Sequence, residues 1–198
     1  MLSSDSPICT AFDGHRQIAR GSLASVVLAT KHVVDAGAPG PVLIFDDHSG
    51  RTVEVDFRGT ADEVLARLPA SATTEQPPSR GPGRPKLGVV PREVTLLPRH
   101  WEWLASRPGG ASATLRRLVE EARRSSLGRD RARLAGEAVD RFMLAMAGNL
   151  SGYEEATRAF WRQERDQFVE LTSAWPADVR EHVLYLADHA WYEHDMAG

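Results

Sequence analysis

The central part of the chain, residues 92–124, reads REVTLLPRHWEWLASRPGGASATLRRLVEEARR. Its β-branched and aliphatic start predicts a short strand, which we place at Val89–Leu97. Pro98 suits the first turn of a helix, because the N–H that proline lacks would have no intrahelical acceptor there. Trp101 and Leu104 then share one face of this helix. The segment is therefore expected to run from a strand directly into a helix.

A second helix follows a break in this central segment. Pro108, Gly109 and Gly110 end the first helix, and Ser112 is expected to cap the next one through its side-chain oxygen. The apolar positions of the second helix recur at helical spacing, at Leu115, Leu118, Val119 and Ala122. Residues 89–125 thus predict a strand, a helix, a glycine turn and an amphipathic helix.

The charge of the chain is unevenly distributed. Residues 80–133 carry 13 Lys and Arg against 5 Asp and Glu, a net charge of +8. The flanking residues 1–79 and 134–198 have net charges of −4 and −7. A basic centre of this kind favours a polyanionic partner. The alternative is a solvated basic face that docks on the acidic C-terminal part of the same chain.

The N-terminal residues 8–68 predict a small α+β domain with the order hairpin, helix, hairpin, helix. Asp13-Gly14 is a hairpin-turn signal, and Ser22 can cap a helix that Gly37 ends. An apolar run and an alternating run predict the second hairpin, and Thr60 can cap the last helix. The elements expected after the first hairpin are a helix to Ala36, strands at Val42–Phe45 and Val53–Phe57, and a helix at Ala61–Leu68.

A proline-rich linker and a helical region complete the chain. Five prolines fall within residues 69–85, so residues 69–88 are expected to form an extended linker. Residues 126–195 predict helices, because apolar stripes of helical spacing run from Ala135 to Met146 and from Val179 to Ala190. The predicted fold class is α+β, with an N-terminal unit, a linker, a central segment and C-terminal helices.

The central segment resembles a ribbon-helix-helix domain, the small dimeric DNA-binding fold of many bacterial repressors and antitoxins. The resemblance rests on the strand REVTLL (92–97), the helix start at Pro98, the turn GGAS (109–112) and the helix LRRLVEEARR (115–124). It implies that two chains pair their strands, because one strand alone is not stable. The paired ribbon would enter the major groove of duplex DNA.

This resemblance implies two sets of site residues. The expected dimer interface comprises the inward-facing apolar residues Val94, Leu96, Trp101, Leu115, Leu118 and Val119. Trp103 and His100 lie off the main apolar stripe and are expected to make a further subunit contact. The expected DNA contacts combine a groove-facing threonine, rim arginines and helix N–H groups that hold a phosphate: Arg92, Thr95, Arg99, Gly110, Ala111, Ser112 and Arg116. Glu93 and Pro91 depart from the family pattern, because a carboxylate would face phosphates and a proline shortens the ribbon. The alternative is a helical hairpin whose preceding strand packs on the N-terminal sheet.

The linker ends in a second basic motif. Residues 80–86 read RGPGRPK and resemble an AT-hook, in which an extended Arg-Pro segment lies in the narrow minor groove of A·T-rich DNA. The resemblance implies minor-groove contacts from Arg80, Arg84 and Lys86. The alternative is a chance match, because such tripeptides recur in linkers rich in proline, glycine and arginine.

Most of the chain is similar to a family of uncharacterised bacterial proteins, domain of unknown function 2239. The matching stretches are TAFDGHRQIARG (10–21), PVLIFDD (41–47), GRPKLGVVPREVTLLPRHWEWL (83–104), GYEEATRAFW (152–161) and WPADVREHV (175–183). The similarity implies a bacterial, cytosolic protein. It transfers no catalytic residue, because the family has no established activity.

The sequence contains no recognisable enzyme signature. There is no G-x-S-x-G elbow, no Walker motif, no H-E-x-x-H helix and no phosphate-binding glycine loop after a strand. Cys9 is expected to be a buried strand thiol rather than a nucleophile. We therefore predict no catalytic residue and no cofactor.

Two groups of residues could ligate a metal, and both have a simpler interpretation. His182, His189 and Glu193 nearly stack on the last helix, but their spacing favours a solvated acidic helix end. Residues 46–48, Asp-Asp-His, resemble a ligand cluster, yet the same residues suit a hairpin turn. We therefore predict no metal site.

The sequence thus favours a cytoplasmic, dimeric protein that binds double-stranded DNA and regulates transcription. A single cysteine cannot form an internal disulfide, and neither a secretory signal nor a membrane-spanning run is recognisable. The N-terminal domain would then bind a protein partner or a small effector. Two alternatives remain: a non-enzymatic adaptor that binds other proteins, and an enzyme with a cleft between the N-terminal domain and the helices.

Overall fold

The N-terminal part of the chain folds around a small sheet. The computed structural model describes residues 7–68 and 92–197. Within them, three strands form an antiparallel sheet in the order β2-β1-β3: β1 (Ile8–Asp13), β2 (Arg16–Ser22) and β3 (Val42–Asp46). β1 and β2 are joined at Gly14, whose φ of +56° suits a tight turn. The hairpin predicted at Asp13-Gly14 is confirmed.

Both helices predicted for this part of the chain are present. α1 (Leu23–Asp35) begins at Ser22, whose hydroxyl accepts a hydrogen bond from the N–H of Ser25 at 3.3 Å. α2 (Ala61–Arg67) begins with a capping box, in which the side chains of Thr60 and Glu63 each accept from the backbone N–H of the other. Caps satisfy backbone donors that a helix leaves free, so the sequence could locate both helix starts.

The second predicted hairpin is only partly formed. Beyond β3 the chain turns back and makes one bridge, between Phe45 and Thr52. Val53 N–H still donates to the carbonyl of Ile44 at 2.7 Å, but residues 53–57 form no strand, so the prediction of a strand there is wrong. The predicted alternation of burial is present, because every second side chain packs on the core beside the sheet, namely Val53, Val55 and Phe57. Beyond Val53, side-chain burial and a hydrogen bond from the Arg67 guanidinium to the carbonyl of Asp56, rather than a backbone ladder, hold this segment in place.

Five further helices occur in the described residues: α3 (Pro98–Ala105), α4 (Gly110–Ala147), α5 (Tyr153–Trp161), α6 (Arg165–Leu171) and α7 (Ala177–Ala197). The predicted start at Pro98 is confirmed. The described residues divide into a first unit, 7–68 with 128–197, and a second unit, 92–127.

Across the described ranges, no helix combines the length and the apolar character that crossing a bilayer requires.

The sheet of the first unit is covered by helices on both faces. One face, which includes Ala11 and Ile44, packs on α1 and α2. The other face, which includes Phe12 and Phe45, packs on α7 and on Phe142 of α4. The central strand β1 is therefore buried at five of its six positions. The predicted segment boundaries stay a prediction, but the N-terminal sheet and the C-terminal helices share one core.

Candidate functional site

The predicted DNA contacts fall into two groups. Three of them, Arg80, Arg84 and Lys86 of the AT-hook-like motif, lie outside the described residues, as does the predicted linker 69–88. The other seven belong to the second unit: Arg92, Thr95, Arg99, Gly110, Ala111, Ser112 and Arg116. Within the described residues, the candidate nucleic-acid surface is therefore confined to residues 92–127.

The described part of the predicted strand, residues 92–97, does not form a strand within one chain. Residues 92–97 are irregular, and the sheet of the described residues contains only β1, β2 and β3. Val94 and Leu97 are exposed, and Leu97 is extended, with φ −64° and ψ 148°. A strand needs a neighbour to bond its N–H and C=O groups. The predicted neighbour is a second copy of the chain, so the ribbon itself stays a prediction.

The turn between α3 and α4 depends on two glycines. Gly109 and Gly110 have φ of +85° and +73°, a region that other residues rarely adopt. α4 begins at Gly110, so the prediction that Ser112 caps this helix is wrong. The N–H of Gly110 donates to the carbonyl of Arg107 at 3.0 Å, whereas the N–H groups of Ala111 and Ser112 have no intrahelical acceptor. Of the three backbone N–H groups predicted to hold a phosphate, those of Ala111 and Ser112 thus make no hydrogen bond within the helix.

The second unit leaves much of its apolar surface uncovered. Only Leu104 and Thr114 are buried among its described residues. Of the predicted interface residues, Trp101 and Trp103 are 41% and 43% exposed, and Val94 and Val119 are 56% and 64% exposed. The other three are half-buried: Leu96, Leu115 and Leu118. A unit this small with so few buried side chains does not complete a core of its own.

The arginines of the second unit differ in their contacts. Arg123 and Arg124 both pair with Glu120 at 3.2 Å, so their charge is partly neutralised. The guanidinium of Arg107 lies 4.3 Å from the centre of a Trp103 ring. Three of the predicted DNA contacts make no salt bridge to any described residue, namely Arg92, Arg99 and Arg116.

A buried polar cluster in the first unit was not predicted. Asp47, directly after β3, accepts hydrogen bonds from Thr10 Oγ1 at 2.8 Å and from Arg20 Nε at 2.9 Å. His182 on α7 places its Nε2 3.6 Å from Asp47 Oδ1. The Arg20 guanidinium lies 3.5 Å from the centre of the Tyr185 ring. The sequence analysis considered residues 46–48 and His182 as parts of two separate candidate metal sites. It could not predict their contact, because sequence spacing does not indicate which residues far apart in the chain lie close together in the fold.

Burial determines the protonation states in this cluster. Desolvation raises the pKa of Asp47, against the lowering effect of the hydrogen bonds it accepts. Burial, and then the charge of Arg20, lowers the pKa of His182 to about 4. His182 is therefore a neutral imidazole at neutral pH, packed against the rings of Phe12 and Phe142. Its Nε2 makes no hydrogen bond within the described residues.

Because His182 is buried in its neutral form, the folded protein should become less stable in mild acid. Its pKa is about 4 in the folded protein and about 6.5 in an unfolded chain, so the unfolded state binds the proton first as the pH falls. The free energy of unfolding should decrease between about pH 6.5 and 4, by up to ~3 kcal/mol. Urea unfolding of the wild type and of His182→Gln measures this difference, because the other titrating groups are common to both proteins. Identical pH profiles would contradict the prediction.

The cysteine beside this cluster is not an activated nucleophile. Cys9 on β1 is buried, as predicted, and burial together with Asp46 and Asp47 raises the pKa of its thiol to about 11. The thiol is therefore protonated and a poor nucleophile. Asp46 stabilises the turn by accepting the N–H of Ser49 at 2.8 Å. Across residues 7–68 and 92–197, no three His, Cys, Asp or Glu side chains are grouped as metal ligands.

Comparison with known proteins identifies a family but no activity. No curated protein and no solved structure matches the chain. A family model, described as an uncharacterised protein conserved in bacteria, matches residues 8–187. The match begins with β1 and extends into α7, so it includes the sheet, the second unit and the buried cluster. The chain therefore belongs to the bacterial family known as domain of unknown function 2239.

Proposed function

We propose that this protein is a dimeric DNA-binding regulator of transcription that acts through its second unit. The observation that carries the proposal is the exposed apolar surface of residues 92–127, where two tryptophans and two valines stay accessible in the single chain. Such a surface on a small unit favours a partner that covers it. A second copy fits best, because residues 92–97 lead directly into α3 without helix or sheet bonding and have no strand neighbour in the described part of their own chain.

In the proposed dimer, residues 92–97 of the two copies pair as an antiparallel ribbon. Val94 and Leu96 then face the helices, where they cover Trp101, Leu115 and Leu118. Fully burying a large apolar side chain contributes about 1.5–3 kcal/mol. Val94, Trp101, Trp103 and Val119 are only 41–64% exposed, so covering each contributes about half of this value. Counted in both copies, the four residues contribute about 6–12 kcal/mol, which is comparable to an association cost of about 4–15 kcal/mol.

The other side of the ribbon would face DNA. Thr95 points away from the helices in this register, with Arg92 and Arg99 at the two ends of the strand. The N–H groups of Ala111 and Ser112, together with Arg116, would hold a backbone phosphate. The first turn of α4 carries no acidic residue, which favours an anion at this helix start.

A salt titration of duplex binding tests this proposal. With about six phosphates neutralised, log K should fall against log[salt] with a slope near ~−5. The double variant Arg99→Ala/Arg116→Ala removes two proposed phosphate contacts and should make this slope shallower by about 2. The matched control, Arg51→Ala/Arg162→Ala, removes two exposed arginines of the first unit and should keep the slope. No binding at ~50 mM salt, or equal effects of the two double variants, would end the proposal.

The exposed tryptophans also favour a second candidate function. Trp and Arg are enriched at protein–protein interfaces, and both are accessible in residues 92–127. A non-enzymatic adaptor could use the same surface to bind a different protein. A chain that stays monomeric and binds no duplex at ~50 mM salt would favour the adaptor.

A further inference from the structure

The helical side of the first unit contains a groove that the proposed DNA-binding function does not use. α4, α5 and α7 border two adjoining recesses, of about 140 Å³ and 390 Å³. The two recesses share Ala132, Trp161 and His194. Small residues elsewhere in the lining, Gly136, Ala190 and Ala197, leave the space between the helices open. We call these two recesses together the Trp161 groove.

The indole that lines this groove is unusually accessible. Trp161 is 52% exposed, although the neighbouring Phe160 and Trp191 are buried. Its ring lies close against α4, since a Cβ atom on Gly136 would come within 2.8 Å of the indole. It also contacts the Phe160 ring edge to face, at 5.2 Å between centroids. The aromatic surface is thus fixed in position while half of it remains open to a ligand.

A strained residue lines the smaller recess. Gln163 is the one non-glycine residue with a left-handed φ, +59°, among the described residues. It ends α5 in a Schellman motif, in which Gln163 N–H donates to Phe160 O and Glu164 N–H to Ala159 O, each at 3.0 Å. Glycine usually occupies this position, because other residues are strained there. A glutamine in this place suggests that its side-chain amide is needed in the recess.

The charge of the groove favours an anion. Arg129 and Arg133 line the larger recess together with His194. Arg133 pairs with Glu137 at 2.6 Å, whereas Arg129 makes no salt bridge to any described residue. No carboxylate from the described part of the chain lines either recess. A guanidinium without such a counter-charge, beside an exposed indole, suits a ligand with a flat ring and a negative group.

We propose that the Trp161 groove binds a small aromatic carboxylate. Its ring lies in the smaller recess against Trp161, and its carboxylate extends into the larger recess towards Arg129. A cavity of about 150 Å³ is known to hold a benzene-sized molecule, and the smaller recess is of this size. The amide of Gln163 supplies a hydrogen bond at the edge of the ring. This site is independent of the proposed DNA contacts.

Calorimetric titration of the full chain with benzoate tests the charge part of this proposal. Benzoate should bind, and benzyl alcohol, which has the ring without the charge, should bind at least about fivefold more weakly. Arg129→Ala should weaken benzoate binding by a similar factor. The control Arg162→Ala removes an exposed arginine next to Trp161 in sequence but outside the groove lining, and it should leave the affinity unchanged. Equal effects of the two arginine variants would overturn the proposal.

A second pair of variants separates ligand binding from folding. Gln163→Gly should raise the melting temperature by relieving the strain, and it should weaken benzoate binding by removing the amide. Trp161→Phe should keep an aromatic surface and therefore most of the affinity, whereas Trp161→Ala should lose at least about fivefold. Unchanged affinity in Gln163→Gly would overturn the proposal. So would a change in oligomeric mass in Trp161→Ala, because it would assign the groove to a second copy of the chain.

Discussion

Val119→Glu is expected to convert the protein from a dimer to a monomer and to weaken duplex binding at least about 100-fold. Val119 lies on α4 in the second unit and is 64% exposed in the single chain. In a two-fold symmetric dimer each substitution occurs in both copies. An unpaired carboxylate buried in an apolar interface costs several kcal/mol, and about 2.7 kcal/mol already corresponds to 100-fold. Light scattering and duplex titration at ~50 mM salt measure the two effects.

The same helix supplies a matched control for this variant. Leu144 also lies on α4 and is 63% exposed, but it belongs to the first unit. Leu144→Glu introduces the same charge at an equally accessible apolar position, outside the proposed interface. It should leave both the dimer mass and the duplex affinity unchanged. A dimeric Val119→Glu, or equal losses in the two variants, would show that the second unit does not form the interface.

The parts of the fold that the sequence could predict are those with local signals. The Asp13-Gly14 hairpin and the caps at Ser22 and Thr60 are each defined within a few residues, and each appears where expected. Their physical basis is also local, because turn geometry and helix caps satisfy backbone groups of adjacent residues. The start of α3 at Pro98 belongs to the same class.

The parts that could not be predicted depend on contacts between distant segments. Residues 53–57 alternate between apolar and polar side chains, as a strand does. This alternation indicates that one face is buried, but it does not indicate that a neighbouring strand is present to form the backbone hydrogen bonds. The cluster of Asp47 with His182 joins a turn to the last helix, and nothing in the spacing of these residues indicates it. The contacts of residues 92–97 depend on a second chain in the proposed dimer. The sequence could therefore predict which residues form the candidate DNA-binding site, but not the contacts that these residues make.

The turn after β3 illustrates how a long-range contact restricts a single residue. Gly50 has φ +65°, and a Cβ atom there would lie 2.3 Å from the carbonyl oxygen of Ala138 and 2.7 Å from its Cα. These are backbone atoms of α4, so they cannot move aside as the end of a flexible side chain can. A second contact holds the same turn, since Arg141 donates to the carbonyl of Ser49 at 2.7 Å. The turn therefore joins the sheet to the helix through backbone surfaces in direct contact.

Gly50→Ala is accordingly expected to lower the free energy of unfolding by at least ~3 kcal/mol, as measured by urea denaturation. Left-handed strain alone accounts for about 1–2 kcal/mol, and displacement of α4 from the turn accounts for the rest. Gly37→Ala is the matched control, because Gly37 has φ +82° and a Cβ atom there would meet no other atom within 4 Å. Gly37→Ala should lower the free energy of unfolding only by the contribution of the left-handed strain. Equal losses in the two variants would show that the backbone contact between the turn and α4 adds nothing to stability. A larger loss for Gly50→Ala would show that this contact between the turn and α4 adds to the stability of the first unit.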